Sequence, residues 1–252
     1  MIKLSEIPTT APKSLNKDDI KKITKDLENE ISELQNLMYA ESKHSLLIVL
    51  QGMDGSGKDG ITRSMFDGCT PTGLRVHSFK KPTEMELAHD FLWRAHAPVP
   101  ERGEIVVFNR SQYEDILIQY VHGWIDGEKR DMRMRAINAF EEVLLKDNNT
   151  QILKFFLHIS PEKQVEKLQE RIDDPKKRWK HNDSDWEERK LWDQYVEAYE
   201  YAINNSTIPW HIIPVDHQWY RDYVAMKIVR DTLKGLNMVY PPLNSKMFVA
   251  PK

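Results

Sequence analysis

The sequence predicts an α/β fold: a parallel, doubly wound sheet of five strands flanked by helices, with a phosphate-binding loop after the first strand. Three observations predict it. Short runs of bulky apolar residues recur along the chain, helical patterns separate them, and the first run leads into the glycine-rich turn "GMDGSGKDG". The 252 residues suffice for one such domain with a sizeable core.

In chain order, residues 1–15 read as an irregular arm containing Pro8 and Pro12. Asn16 suits a helix N-cap, and Ile20, Ile23, Leu27, Ile31, Leu34 and Met38 follow at helical spacing, predicting a helix over 17–42. The strand-like runs are "SLLIVLQ" (45–51), "LRVHSF" (74–79), "EIVVFN" (104–109), "QILKFFLHIS" (151–160) and "WHIIPV" (210–215). Most are apolar on consecutive positions, as expected of strands covered on both faces. Helical patterns lie at 59–67, 84–95, 112–122, 129–146, 161–171, 184–205 and 217–235. The stretch "RIDDPKKRWKHNDSD" (171–185) is basic and polar and contains a proline, which suits a mobile loop or lid. The tail "VYPPLNSKMFVAPK" (239–252) reads as extended. The chain therefore divides into an N-terminal arm and helix (1–42), one phosphate-loop domain including the lid (43–238), and a C-terminal tail (239–252).

Lys and Arg number 36 against 39 Asp and Glu, for a net charge of −3. That balance gives no global pull toward nucleic acid, so any polyanion must be held by local basic clusters. The single cysteine, Cys69, excludes an internal disulfide and fits a reducing compartment. No apolar run is long enough to span a bilayer, and the N-terminus lacks the apolar core of a signal peptide. The expectation is a cytoplasmic homo-oligomer that binds neither nucleic acid nor membrane.

Residues Gly52–Asp59 match G-x-x-x-x-G-K, except that Asp59 stands where Ser or Thr is usual. The physics of the loop survives. Gly55, Gly57 and Gly60 let backbone N–H groups turn inward, the following helix adds its positive dipole end, and Lys58 adds a charge that can follow a phosphoryl group. Gly55, Ser56, Gly57, Asp59 and Gly60 are the phosphate-binding candidates of this segment. Loss of the usual hydroxyl removes a magnesium ligand, so a metal must be held differently. Asp54 would repel phosphates unless a divalent cation, Mg²⁺ or Mn²⁺, stood between them. "NKDD" at 16–19 resembles a guanine-reading motif but precedes the loop, the wrong order, and is read as chance.

A second cluster follows the third strand in "FNRSQYEDILIQYVHGW" (108–124). With a helix starting near Ser111, Glu114 and Asp115 fall in its first turn, facing the same sheet edge as the phosphate loop. First-turn acids are favoured in any helix, which is the structural alternative. Arg110 suits a phosphate oxygen or a structural ion pair equally well.

With these motifs in this order, the chain resembles the polyphosphate kinase 2 family from about residue 30 to residue 238. "GMDGSGKDG" is similar to its Walker A variant, "FNRSQYEDIL" to its Walker B region and "RIDDPKKRWK" to its lid. "ERKLWDQYVEAYEYAI" and "WHIIPVDHQWYRDYVAMKIV" resemble its C-terminal elements. The resemblance implies a thymidylate-kinase-like P-loop fold and magnesium-dependent phosphoryl transfer between inorganic polyphosphate and adenine or guanine nucleotides. It also implies that Asp54 and Asp115 are the essential, metal-holding carboxylates, that Lys58 and Arg110 handle phosphate, and that Lys81, Arg171, Arg178 and Lys180 touch polyphosphate. Asn109 and Glu114 are expected at the nucleotide acceptor. The Glu114-Asp115 pair resembles members that accept nucleoside mono- and diphosphates, whereas many diphosphate-only relatives carry Asn at the first position.

The chemistry agrees. A nucleotide acceptor attacks through a phosphate oxygen already ionised at neutral pH, so no strong general base is required. Charge neutralisation and in-line placement of two polyanions are what the reaction needs. A lid of Lys and Arg can exclude water. Two other readings stand beside this one: an ATP-dependent nucleoside monophosphate kinase on the same scaffold, and a phosphate-binding regulator without turnover.

Overall fold

The computed structural model describes residues 1–248. The Asn16 side chain accepts from the amides of Asp18 and Asp19, at 2.9 and 3.2 Å, and opens α1 (Lys17–Glu41). Ile20, Leu27, Ile31 and Met38 are buried, while Ile23 is exposed. The helix stops where Ser42 enters the left-handed region (φ 54°).

The strands are β1 (Ser45–Gln51), β2 (Leu74–Ser78), β3 (Ile105–Asn109), β4 (Thr150–His158) and β5 (Trp210–Pro214). They form one sheet in the order β2-β3-β1-β4-β5, every pair parallel. Central β1 is buried along its whole length, as its unbroken apolar run predicts. Edge strand β2 departs from that expectation: Arg75, Val76 and Ser78 are exposed.

The remaining helices are α2 (Lys58–Met65), α3 (Glu84–Leu87), α4 (Trp93–His96), α5 (Ile118–Val121), α6 (Gly127–Asp147), α7 (Pro161–Asp173), α8 (Asp183–Arg189), α9 (Trp192–Asn205) and α10 (Gln218–Gly235). Three helices expected as continuous are broken. Between α3 and α4 the Asp90 carboxylate accepts from the Leu92 amide at 2.9 Å, a local bond that competes with the helix. The 112–122 segment is a 3₁₀ turn (Gln112–Asp115) and α5, separated at Leu117 (ψ −83°). The 184–205 segment divides into α8 and α9 at Leu191 (ψ 18°).

The arm is held at the carboxyl ends of β4 and β5, where His158 meets the Leu4 and Ile7 carbonyls at 3.1 Å. Leu4 is buried, and Thr9 and Asp216 exchange two hydrogen bonds: the Asp216 amide to the Thr9 carbonyl (3.1 Å) and the Thr9 hydroxyl to the Asp216 carboxylate (2.7 Å). Helix α1 then runs beside α10 in the same direction, tied by Arg230 to Glu30 at 2.8 Å. Residues 239–248 contain neither helix nor strand, as expected of the tail; 249–252 lie outside the described residues. Among the described residues no helix is long and apolar enough to cross a membrane.

Under the sheet lies a buried polar knot. Lys154 on β4 meets Glu141 on α6 at 2.6 Å and donates to the Tyr113 hydroxyl at 2.7 Å; that hydroxyl donates to Glu141 at 2.9 Å. Lys154, Glu141 and Tyr113 are all fully buried. Burial pulls the Lys154 amine down and pushes the Glu141 carboxyl up, and each partner opposes the other's shift. Lys154→Met should therefore cost about 3 kcal/mol, because it strands a buried carboxylate. Adding Glu141→Leu should recover most of that loss, as read from urea unfolding midpoints. A double variant no more stable than the single would contradict this account.

Candidate active site

The site forms where the carboxyl ends of β1 and β3 lie side by side, the position at which open α/β sheets hold ligands. Their register pairs Leu50 with Asn109, and the Arg110 amide donates to the Leu50 carbonyl at 3.0 Å. Arg110 has φ 60°, a left-handed conformation uncommon for a non-glycine residue. Its guanidinium reaches both segments, bonding Asp54 at 2.6 Å and Glu114 at 3.1 Å. Ser111 caps the 3₁₀ turn by accepting from the Tyr113 amide at 3.2 Å, and Gln51, last residue of β1, donates to the same hydroxyl at 3.0 Å.

The phosphate loop leaves β1 at Gly52 and ends at Gly57 (φ 89°), the N-cap of α2. A β-carbon at Gly57 would lie 2.5 Å from the Arg221 guanidinium, which would have to shift, and the backbone conformation itself disfavours a side chain there. Among the described residues no backbone acceptor takes the amides of Gly55, Gly57, Lys58 or Asp59. The buried Ser56 hydroxyl also has no hydrogen-bond partner. Such a set of unpaired donors at a helix N-terminus suits an anion.

Lys58 folds back on its own loop, donating to the Gly52 carbonyl at 2.8 Å and the Met53 carbonyl at 3.3 Å. Burial, then the neighbouring Arg110 charge, pull its amine down to about 8 against the opposing pull of Asp54. Burial raises the Asp54 carboxyl, but Lys58, Arg110 and Arg171 together outweigh it and hold the group below its ordinary value. Glu114 is the main reason the Arg110 guanidinium is held more firmly protonated than usual, with Asp54 adding to it against burial.

A cleft of about 340 Å³ opens beside the loop. Its lining includes Asp54, Lys81, Arg110, Glu114, Arg189 and Tyr199. The lid folds toward it: Lys180 reaches Asp59 of the phosphate loop at 3.3 Å, and Asn109 donates to the other Asp59 oxygen at 2.7 Å. Asp59 thus ties the end of β3 and the lid to α2. Arg171 is bonded to Asp185, another cleft residue. Arg178 is not brought to the cleft; its Nε donates to the Ile172 carbonyl at 3.0 Å, within the lid itself.

Asp115 also differs from expectation. It is buried and absent from the cleft lining, and its two oxygens accept from Arg94 (2.9 Å) and Gln119 (2.6 Å). Burial raises its carboxyl, with Arg94 opposing. The carboxylate that shares Arg110 with Asp54 is Glu114. Adjacent side chains on this turn diverge by about 120°, and the buried Arg94 and the part-buried Gln119 take Asp115 while Arg110 takes Glu114, so one acid faces the cleft and its neighbour the interior.

Other residues of the site carried no sequence signal. Gln164 on α7 donates to the Asp54 carbonyl at 2.9 Å and accepts from Arg189 at 2.6 Å, linking α8 to the loop. Arg94 and Arg133 hold the Asp115 turn, Arg133 through the Asp115 carbonyl at 2.8 Å. These lie on helices whose charges read as solvated surface. Among the described residues no three His, Cys, Asp or Glu side chains converge as a ready metal set.

Comparison with known proteins places these features in a family. The profile described as "Polyphosphate kinase 2 (PPK2)" matches residues 14–240, taking in the whole of α1, whose first turns the motifs left outside the resemblance. A relative from Meiothermus ruber, named AMP/ADP-polyphosphate phosphotransferase, is 50% identical over 218 residues, which are 85% of this chain and 81% of that one. One from Rhodopseudomonas palustris, named ADP-polyphosphate phosphotransferase, is 41% identical over 226 residues, 84% of this chain and 78% of that one. Among solved structures, polyphosphate kinase 2 from Arthrobacter aurescens TC1 superposes with a TM-score of 0.93 at 36% identity, covering 98% of this chain and 90% of that one.

The lowered Lys58 amine has a pH consequence. The ammonium form attracts phosphate and is lost as pH rises through about 8. Affinity for polyphosphate, measured by calorimetric titration, should fall over that window, and Lys58→Arg should remove the decline. A flat profile well above that pH in the wild type would show that the Lys58 charge is not used.

Proposed function

The chain belongs to the polyphosphate kinase 2 family, and on that premise we propose that it transfers the terminal phosphoryl group of inorganic polyphosphate, reversibly, to AMP and ADP or their guanine counterparts. The observation that carries this reading is the Arg110 bridge. One guanidinium joins a phosphate loop on β1 to an acidic acceptor-side residue, Glu114, across a cleft that Lys81 and Arg189 also line. The names of the relatives support the donor and the two acceptors.

The attacking atom is an ionised phosphate oxygen of the nucleotide. It bonds to the terminal phosphorus of polyphosphate as the bridging P–O bond breaks, and the electron pair leaves with the shortened chain. The amides of Gly55, Gly57, Lys58 and Asp59 and the Lys58 ammonium hold the donor end. Arg110 exchanges its carboxylate partners for phosphate oxygens. The lid, anchored through Lys180 to Asp59, covers the site and excludes water.

A divalent metal fits this donor set. One Asp54 oxygen is bonded to Arg110, and the other has no protein partner among the described residues. One carboxylate plus the oxygens of substrate phosphates is a site that Mg²⁺ takes. Mg²⁺ or Mn²⁺ would supply charge neutralisation there, held by Asp54, while Asp115 acts by fixing Arg94 and Gln119. The cytoplasmic reading belongs to the same proposal and rests on the single, part-buried Cys69.

Supplying polyphosphate with AMP, Mg²⁺ and no ATP should yield ADP and then ATP. Product only when ATP is the donor would favour the ordinary monophosphate kinase. Asp54→Asn should lower kcat by orders of magnitude, and excess chelator should stop turnover in the wild type. Glu114 tests the acceptor range. A monophosphate is one phosphoryl unit shorter, so reaching the same point of attack needs a bridging cation or water, which a carboxylate holds better than an amide. Glu114→Asn should reduce kcat/KM for AMP at least tenfold more than for ADP; equal losses would leave Glu114 as an ordinary partner of Arg110.

A further inference from the structure

Helix α8 follows the lid and carries part of one wall of the cleft, including Asp185, Glu188 and Arg189. Three side chains tie it down. Asp185 is bonded to Arg171 of α7, and Arg189 donates to Gln164 of α7, which in turn donates to the Asp54 carbonyl of the phosphate loop. Both of these ties run to the donor side. Glu188 runs the other way. Nε2 of His122, the residue just past α5, lies 3.1 and 3.0 Å from its two oxygens, and the Tyr195 hydroxyl of α9 donates to one of them at 2.6 Å. Among the described residues, His122–Glu188 is the one hydrogen-bonded contact between α8 and the acceptor-side segment 111–124.

His122 is itself held from the acceptor side. Helix α5 closes in a Schellman motif: the Gly123 amide donates to the Tyr120 carbonyl at 2.9 Å and the Trp124 amide to the Gln119 carbonyl at 2.8 Å. Gly123 has φ 67°, a conformation that a residue with a β-carbon adopts less readily. The turn lays the Trp124 ring against the His122 imidazole, with centroids 4.9 Å apart and planes 20° apart. The Gln119 side chain donates to Asp115, the neighbour of Glu114. The segment that carries Glu114 therefore also fixes the imidazole.

His122 does not line the cleft. Glu188 does, but both its oxygens are engaged, whereas Asp54 and Glu114 each keep one without a protein partner among the described residues. A cleft carboxylate with no oxygen to spare is spent on holding the wall. From these observations we infer that His122 is a positioning residue: through Glu188 it fastens the wall carried by α8 to the acceptor side and so sets the width of the cleft where the nucleotide enters. This rests on the reading of the chain as a polyphosphate-dependent nucleotide kinase. Without the tie, the two donor-side contacts still hold α8 to the phosphate loop, but the acceptor's half of the cleft loosens and admits water. In that leak a water oxygen bonds to the terminal phosphorus, the bridging P–O bond breaks with its electron pair leaving on the shortened chain, and the water proton passes to solvent.

The test separates acceptor from donor. In His122→Ala, KM for AMP should rise about fivefold, the scale of one lost part-exposed contact to a carboxylate. KM for polyphosphate should stay as in the wild type, and inorganic phosphate released per ADP formed should rise. His122→Gln, whose amide can donate to Glu188 from nearly the place of Nε2, should restore both. His122→Ala combined with Glu188→Ala should cost no more in KM for AMP than Glu188→Ala alone, as expected of two residues acting as one unit. Thermal unfolding checks that each variant keeps its fold, and Glu188→Ala carries the same comparison of KM values and phosphate release if His122→Ala does not. An equal rise in both KM values, a loss that His122→Gln does not relieve, or additive losses in the double variant would overturn the assignment. If the wild type forms no product from any polyphosphate, the donor reading itself fails. The tie is then judged by calorimetric titration of AMP alone: a Kd several-fold weaker in His122→Ala and restored in His122→Gln sustains it, and an unchanged Kd overturns it.

Discussion

Arg110, held between Asp54 and Glu114, is the ion cluster on which the mouth of the sheet is organised. It joins two segments far apart in sequence, at the point where parallel pairing of β1 and β3 brings their ends level. Its left-handed backbone aims the side chain back over the phosphate loop instead of onward along β3. A lysine could not replace it in kind, because one planar fork has to meet two carboxylates in different directions. Such a backbone conformation persists only where the surroundings over-determine it. Here the Arg110 amide is tied to β1, and the following Ser111 is tied to Gln51.

The support continues inward. The 3₁₀ turn that carries Glu114 outward and Asp115 inward has Tyr113 between Ser111 and those acids, and the Tyr113 hydroxyl enters the buried knot with Glu141 and Lys154. On the other flank Asp115 is pinned by Arg94 and Gln119. Glu114 therefore stands on a turn fixed from two sides by buried, charge-assisted hydrogen bonds. That suits chemistry in which placement of two polyanions supplies most of the rate.

The strands and the phosphate loop were legible because they are local patterns: consecutive apolar residues for a sheet covered on both faces, and glycines at positions of positive φ. Asn16 was legible as a cap for the same reason. The breaks at Asp90, Leu117 and Leu191 were not, because the apolar spacing continues across them while the backbone turns. Which of the adjacent acids faces Arg110 was not legible either: Glu114 turns to Arg110 and Asp115 to Arg94 and Gln119, partners distant in sequence or on another element. Arg94, Gln164 and Arg189 were invisible for that reason too. Each acts through a contact distant in sequence, as Gln164 does on the Asp54 carbonyl, and on its own helix looks like solvated surface.

Carboxylates within a phosphate site then have a common explanation. A buried or half-buried cation without a partner is costly, so cations aimed at a cleft need anions to hold them. Asp54 and Glu114 do this for Arg110, Asp59 for Lys180 of the lid, and Asp185 for Arg171. A phosphate entering the cleft exchanges one oxygen anion for another around the same cations, so the net cost of binding is the difference between two similar ion pairs. Asp54, Glu114 and Asp185 each keep one oxygen without a protein partner among the described residues, whereas both oxygens of Asp59 are engaged. Asp59, at the position where a hydroxyl is usual, serves a different purpose: it fixes Asn109 and the lid to the loop, so that lid position and loop geometry are set by one side chain.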